Sequence, residues 1–231
     1  MRKRPLIHPK TLLVEGNDDM RVIPELMEKN GITWEPEKGN YIVEIQALNS
    51  IESLLDPDEI STQLKATSRS ALGLIIDADT DPPSRWKSIR NVCQQAINNF
   101  YETLYPDSKV PDFPETLPEI GLIHSLADGI KLGVWMMPDN QMRGMLETYL
   151  GYLIPTDNEP LWSYTKEVVE KAKEQGASFK DVHKDKALIH TWLAWQEPPG
   201  RQLHDAVKFK ILDPKHPKSK AFVDWFKLLY L

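Results

Sequence analysis

Short runs of branched apolar residues alternate with longer segments whose apolar positions recur every three or four residues, and this alternation runs through the first two thirds of the chain. Thr11 to Val14 is such a run, followed by Glu15-Gly16-Asn17-Asp18-Asp19 and then by Val22, Ile23, Leu26 and Met27 at helical spacing as far as Gly31. Strand, turn, helix is the reading. Tyr41 to Leu48 predicts a second strand, and Ser50 to about Lys65 a polar helix interrupted at Asp56-Pro57. Leu72-Gly-Leu-Ile-Ile76 carries neither charge nor alternation, the pattern of a strand buried on both faces of a parallel sheet. Ser84 to Tyr105 places Trp86, Ile89, Val92, Cys93, Ala96, Ile97 and Phe100 on or near one helical face. Asp107 to Pro118 is proline-rich loop. Ile120 to Ile123 and Leu132 to Met137 predict two further strands, a hairpin turning through Asp128-Gly129, and Gly144-Met145-Leu146-Glu147 opens another helix.

Beyond Leu153 only helical patterns remain, over 158–175, 183–196 and 219–230, the last with Phe222, Trp225, Phe226 and Leu229 at i, i+3, i+4 and i+7. Trp192, Trp195 and the terminal aromatics are expected in the core between these helices and the sheet. The fold class that follows is α/β: residues 1–153 form a mostly parallel sheet flanked by helices, and residues 154–231 a helical C-terminal extension packed on it.

The polar residues that interrupt this pattern sit where strands end. Asp77, Asp79 and Asp81 follow the central strand, and side-chain alternation projects Asp77 and Asp79 the same way with Asp81 close behind. Open α/β sheets bind ligands outside the carboxyl ends of their strands, and carboxylates this close call for a hard cation such as Mg²⁺ or Mn²⁺. Turn formation and helix capping ahead of Pro82-Pro83-Ser84 account for the same three aspartates equally well. Glu15 has no capping role, and a glutamate at the end of a buried strand calls for a cation or a proton-transfer task. Asp19 suits the first turn of a helix as a partner of the helix dipole, with metal ligation as the alternative. Glu147 follows the last strand and completes the set of acids that a parallel sheet would bring to one edge.

Composition trims the choices. Hydrophobic content of 41% and charged content of 27% are those of an ordinary globular protein. No apolar run approaches a membrane span or a signal peptide, so a cytoplasmic protein without a membrane partner is expected. Cys93 is the single cysteine, which excludes an internal disulfide and a thiolate zinc site, and its helical setting suggests a buried, inert thiol. The net charge of −6 is unevenly spread: Arg2, Lys3, Arg4 and Lys10 make the first ten residues basic, residues 201–231 hold seven basic side chains to three acidic, and the middle is acidic. Basic ends around an acidic centre suit a polyanion held near a cation, or are simply solvated surface. There is no phosphate-binding glycine loop, no dinucleotide fingerprint and no Gly-x-Ser-x-Gly elbow, and the six histidines are scattered.

Leu12-Leu-Val-Glu-Gly-Asn-Asp-Asp19, followed some sixty residues later by Leu74-Ile-Ile-Asp-Ala-Asp79, resembles the TOPRIM domain of topoisomerases, bacterial primases and the nucleases of the overcoming-lysogenisation-defect family. The segments Gly133 to Asn140, Gly144 to Glu147 and Trp192 to Gly200 resemble a poorly characterised bacterial branch of that superfamily. The resemblance implies a Rossmann-like sheet and Mg²⁺-dependent (or Mn²⁺-dependent) phosphodiester chemistry on DNA or RNA. Asp77 and Asp79 would hold the metal, Glu15 would be ligand or general acid/base, and Glu147 and Asp19 would serve a second cation. It also leaves room for a separate ATPase or other protein partner, common among relatives of the domain. No tyrosine stands out as a topoisomerase nucleophile and no zinc ribbon accompanies the domain, which leaves water-driven hydrolysis. Two other readings stay open. Asp77-Ala-Asp79-Thr80 resembles the haloacid-dehalogenase phosphotransfer pattern, although two strand units precede it here, and a non-catalytic module binding nucleic acid, nucleotide or protein would keep the acids as structural ligands.

Overall fold

A computed structural model describes residues 8–231, so Arg2, Lys3 and Arg4 of the basic N-terminal run lie outside the described residues. Five strands form one sheet: β1 Lys10–Val14, β2 Glu44–Ala47, β3 Ala71–Asp77, β4 Leu122–Ser125 and β5 Lys131–Met137, in the order β2-β1-β3-β5-β4. All neighbours are parallel except β4, which lies antiparallel on β5 at the edge after a short 3-10 turn at Ala127–Gly129. The uncharged run in β3 is buried on both sides through Ile76, as a central parallel strand requires.

The chain leaves β1 through α1 (Asn17–Lys29) toward β2 and leaves β3 through α4 (Pro82–Leu104) toward β4 and β5. Strand order therefore reverses between β1 and β3, and the crevice outside their carboxyl ends is the switch point of the sheet. Two short helices, α2 (Ile51–Leu54) and α3 (Pro57–Leu64), replace the single interrupted helix of the pattern, with Asp56 capping α3 through the amide of Asp58. Helices α3 and α4 cover one face around Leu74, Ile76, Ile97 and Phe100. Cys93 is fully buried there, and burial pushes its thiol up to about 12, so it is inert as expected.

The other face is covered by α1 together with the C-terminal helices: α5 (Leu146–Tyr152), α6 (Glu159–Glu174), α7 (Lys184–Ala194), α8 (Leu203–Lys208) and α9 (Lys220–Tyr230). Phe222, Trp225, Phe226 and Leu229 of α9 are buried against the sheet, each side chain contributing about 1.5–3 kcal/mol by leaving water. The close approach depends on two glycines paired in register, Gly73 of β3 and Gly133 of β5. A Cβ at Gly133 would stand 2.5 Å from Leu229, and one at Gly73 would collide with the Tyr230 hydroxyl, which donates to the carbonyl of Thr11 at 2.8 Å. Trp192 is buried as the pattern predicts. Trp195 is not: it is 40% exposed and stacks on Tyr164, because it falls at the end of α7, where the helix leaves the core. Among the described residues no helix is long and apolar enough to cross a membrane.

Candidate metal centre

Each acid at the switch point is set by the local backbone. Glu15 follows β1 directly, and its Oε1 accepts from the amide of Asp77 at 2.9 Å, bridging the ends of β1 and β3. Asp19 stands at the third position of α1, where its carboxylate accepts from Gly16 N at 3.2 Å, one half of a capping box, since Gly16 has no side chain to return the bond. Asp19 thus sits in the first turn of the helix as expected, yet its side chain is also buried, 9% exposed, and close enough to Glu147 and Glu15 for their charges to act on it. Asp77 ends β3 and its Oδ1 accepts from Leu146 N at 3.2 Å, the first amide of α5. That contact carries α5 to the switch point and with it Glu147, which is 3% exposed.

The loops after β3 and before α5 are tied to each other by paired bonds, Asp79 N to Gly144 O at 2.9 Å and Gly144 N to Asp79 O at 2.8 Å. Gly144 takes φ +139° and Asp79 φ +53°, left-handed values that a non-glycine residue such as Asp79 adopts only when its surroundings hold it. Here the expectation from strand alternation needs correction. Extended geometry stops at Asp77, so Asp79 is turned aside, and its carboxylate forms an ion pair with Arg85 of α4. Asp81 lies further out still. Its two oxygens accept from the amide and hydroxyl of Ser84 at 3.1 and 2.7 Å as the N-cap of α4, and those bonds hold its carboxyl below the usual range. The structure thus gives Asp81 the capping role and places it apart from the group facing Asp77.

The remaining acids press on one another. Burial, and then the charges of Asp19, Glu15, Glu147 and Asp79, push the carboxyl of Asp77 well above the ordinary range. Burial pushes Asp19 up to about 7, opposed by the Gly16 amide and reinforced by Glu147 and Glu15. Glu15 is raised by burial despite the Asp77 amide and Arg85. Two cations answer them. Lys186 of α7 donates to Glu147 at 2.7 Å with its side chain 46% exposed, and although burial works against its charge, Glu147 and then Asp77 hold its pKa above the usual lysine value. Arg85 is the other. Neither was visible as a site residue in the sequence. For Arg85 a signal existed, since a cation in the first turn of a helix opposes the helix dipole and calls for another partner. Lys186, inside Lys184-Asp185-Lys186, carried none.

Among the described residues no three histidine, cysteine, aspartate or glutamate side chains are gathered into a finished metal cage. The acids are instead held apart, each by its own donor. The chemistry of the set nevertheless fits a hard cation: all donors are carboxylate oxygens, they outnumber the two basic groups, and Asp77 is half-buried where the charges of neighbouring acids raise its carboxyl. Sulfur and imidazole ligands are missing from the group, which disfavours zinc and copper.

No curated protein matches the chain. Among solved structures, the C-terminal region of the OLD protein of Xanthomonas campestris pv. campestris is similar over 96% of this chain and 95% of that one, with 12% identity and a TM-score of 0.47. Residues 9–231, nearly the whole chain, match the family described as a protein of unknown function, DUF3226, and it is to this family that the chain belongs.

Proposed function

We propose that the protein is a Mg²⁺- or Mn²⁺-dependent hydrolase of phosphodiester bonds in nucleic acid. The observation that carries this reading is the carboxyl of Asp77, half-buried at the end of the central strand beside Glu15, Asp19 and Glu147, with Asp79 at the edge of the group, at the switch point. Five carboxyl groups answered by only two cations, Arg85 and Lys186, are what a site with room for a further cation presents. The Leu12–Asp19 and Leu74–Asp79 motifs, which resemble those of TOPRIM nucleases, support the same chemistry. Glu15, Asp77 and Asp79 would hold the cation, with Asp19 and Glu147 available to a second. A bound divalent cation supplies neutralisation of charge on the phosphate oxygens and a bound water of lowered pKa.

The chain's own residues supply the rest. The amides of Asp77 and Leu146 fix the orientation of Glu15 and Asp77, so the carboxylates need little reorganisation. Lys186, its side chain half-exposed, sets an ammonium beside Glu147, where a phosphate oxygen can use its remaining protons. Glu15 has the alternative role of general base in place of ligand, and its raised pKa supports taking a proton from an attacking water. Any ATPase or other protein partner belongs to this proposal and not to the structure.

Thermal unfolding with and without millimolar Mg²⁺ or Mn²⁺, run beside Asp77→Ala/Asp79→Ala and followed by plasmid and RNA cleavage, tests it. The wild type is expected to melt higher with metal and to cleave, and the variant to do neither while remaining folded. Equal melting in both, with no cleavage, sinks the proposal in favour of a non-catalytic binding module.

A further inference from the structure

The carboxylate cluster does not stand alone on its edge of the molecule. Glu147 also lines a cavity of about 450 Å³, within the range of small-ligand sites, whose walls include Trp162, Tyr152, Lys166 and Lys218. A second cavity of about 300 Å³ is lined by Asp79, Arg143 and Lys184 and shares Thr148, Tyr152 and Asp185 with the first. The shared residues make one groove that starts at Asp79, passes Glu147 and ends at the indole of Trp162.

The far end of this groove combines two features. Its aromatic surfaces are the Trp162 indole, packed by the absence of a side chain on Gly151, and the Tyr152 ring. Each ring has an ammonium above it, Lys166 Nζ at 5.2 Å from the centre of Trp162 and Lys218 Nζ at 4.3 Å from the centre of Tyr152. Flat π surfaces beside mobile cations are what sequence-tolerant recognition of single strands uses, the rings stacking bases and the cations tracking phosphates. Glu159 adds an acceptor suited to the exocyclic amine of a base. Lys218 also gives a place to the basic balance of residues 201–231.

Resting on the hydrolase reading above, we propose that the groove takes a single-stranded stretch of nucleic acid, with one unpaired base in the cavity between Trp162 and Tyr152. The neighbouring phosphodiester then faces Glu147 and Asp79, the two acids of the cluster that line the groove. Entry of the base exchanges the two cation–π contacts for stacking and frees both ammonium groups for phosphate. A paired base cannot enter such a recess without leaving its stack, so single strands are preferred over duplex.

The test is fluorescence polarisation on the full chain with short labelled single-stranded DNA and RNA and the matching blunt duplexes, in EDTA so that binding is read without turnover. Wild type is expected to bind single strands more tightly than duplex. Tyr152→Ala and the exposed pair Lys166→Ala/Lys218→Ala should each weaken single-strand binding by about tenfold or more, the loss of one stack or of two phosphate contacts. Trp162→Phe, which keeps a ring in a buried position, should weaken it less than Tyr152→Ala. Equal affinity for single strand and duplex, or no loss in either of the first two variants, overturns the groove. The two readings fail separately: metal-dependent cleavage with unaltered binding in these variants removes the groove and keeps the hydrolase, whereas the predicted binding losses in a protein that cleaves nothing keep the groove and remove the hydrolase.

Discussion

Both ends of the β1–β3 pair bury charge, and they do so in opposite ways. At the amino end Arg69, 6% exposed, donates to the carbonyls of His8 and Gln63 and to Gln63 Oε1, each at 2.8 Å, and also to the Thr11 hydroxyl. Burial lowers its pKa, yet these four hydrogen bonds to neutral oxygens within the fold stand in for water around the charge. At the carboxyl end Asp19 is buried and Glu15 and Asp77 are half-buried, all three with their carboxyls raised, and Lys186 and Arg85 meet Glu147 and Asp79 while Asp77 keeps only an amide. A satisfied buried charge is structural. One surrounded by its own sign marks where the protein expects something from outside.

The contrast can be broken most sharply at the carboxyl end. Asp77→Ala/Asp79→Ala is expected to cut metal-dependent cleavage by about a hundredfold or more, as losses of preorganised charge do, without loss of the folded state by circular dichroism. At the amino end Arg69→Met should do the reverse. It leaves buried acceptors without donors and should lower stability by about 3 kcal/mol in urea unfolding, while activity per folded molecule stays the same.

A third measurement uses pH. Because the folded-state pKa of Asp19 is raised from 3.8 to about 7 and that of Asp77 is raised too, the folded protein holds protons that the unfolded chain releases. Their contribution to stability is therefore complete below about pH 4 and is lost as pH rises toward 7, each unit of displacement being worth about 1.4 kcal/mol. The chelated wild type should accordingly melt higher at pH 5 than at pH 8, and Asp19→Asn/Asp77→Asn should flatten that slope. Millimolar Mg²⁺ should raise the melting temperature most at pH 8, where the carboxylates are charged; a slope of the opposite sign in the chelated protein would sink this account. The smallest effect is expected from Asp81→Ala, which removes only an exposed cap and should lower the melting temperature by a few degrees at most with metal binding unchanged.

Much of this edge was legible in the residues because strands announce themselves. Leu72 to Ile76 could only be a buried central strand, and its end fixed the place of Asp77, as Val14 fixed that of Glu15. What depends on tertiary contacts was not legible. The left-handed backbone at Asp79 comes from its pairing with Gly144, 65 residues away in the sequence by their numbers, and turns its carboxylate to Arg85. Lys186 reaches Glu147 only because α7 packs on α5, and nothing in its own neighbourhood in the sequence points there. Helix α8 escaped notice because six residues after Pro198-Pro199-Gly200 hold less than two turns of periodicity.

The glycine trough beneath α9 has a consequence for the order in which the molecule can be completed. Gly73 and Gly133 leave one face of β3 and β5 bare until Phe222 to Tyr230 arrive to fill it. On the ribosome, where about 5–20 residues are added each second, strands made early therefore wait many seconds for the helix that seals them. Over that interval the nascent sheet exposes Leu12, Ile75 and Trp135, apolar surface of the kind that chaperones shield and that drives self-association when they do not.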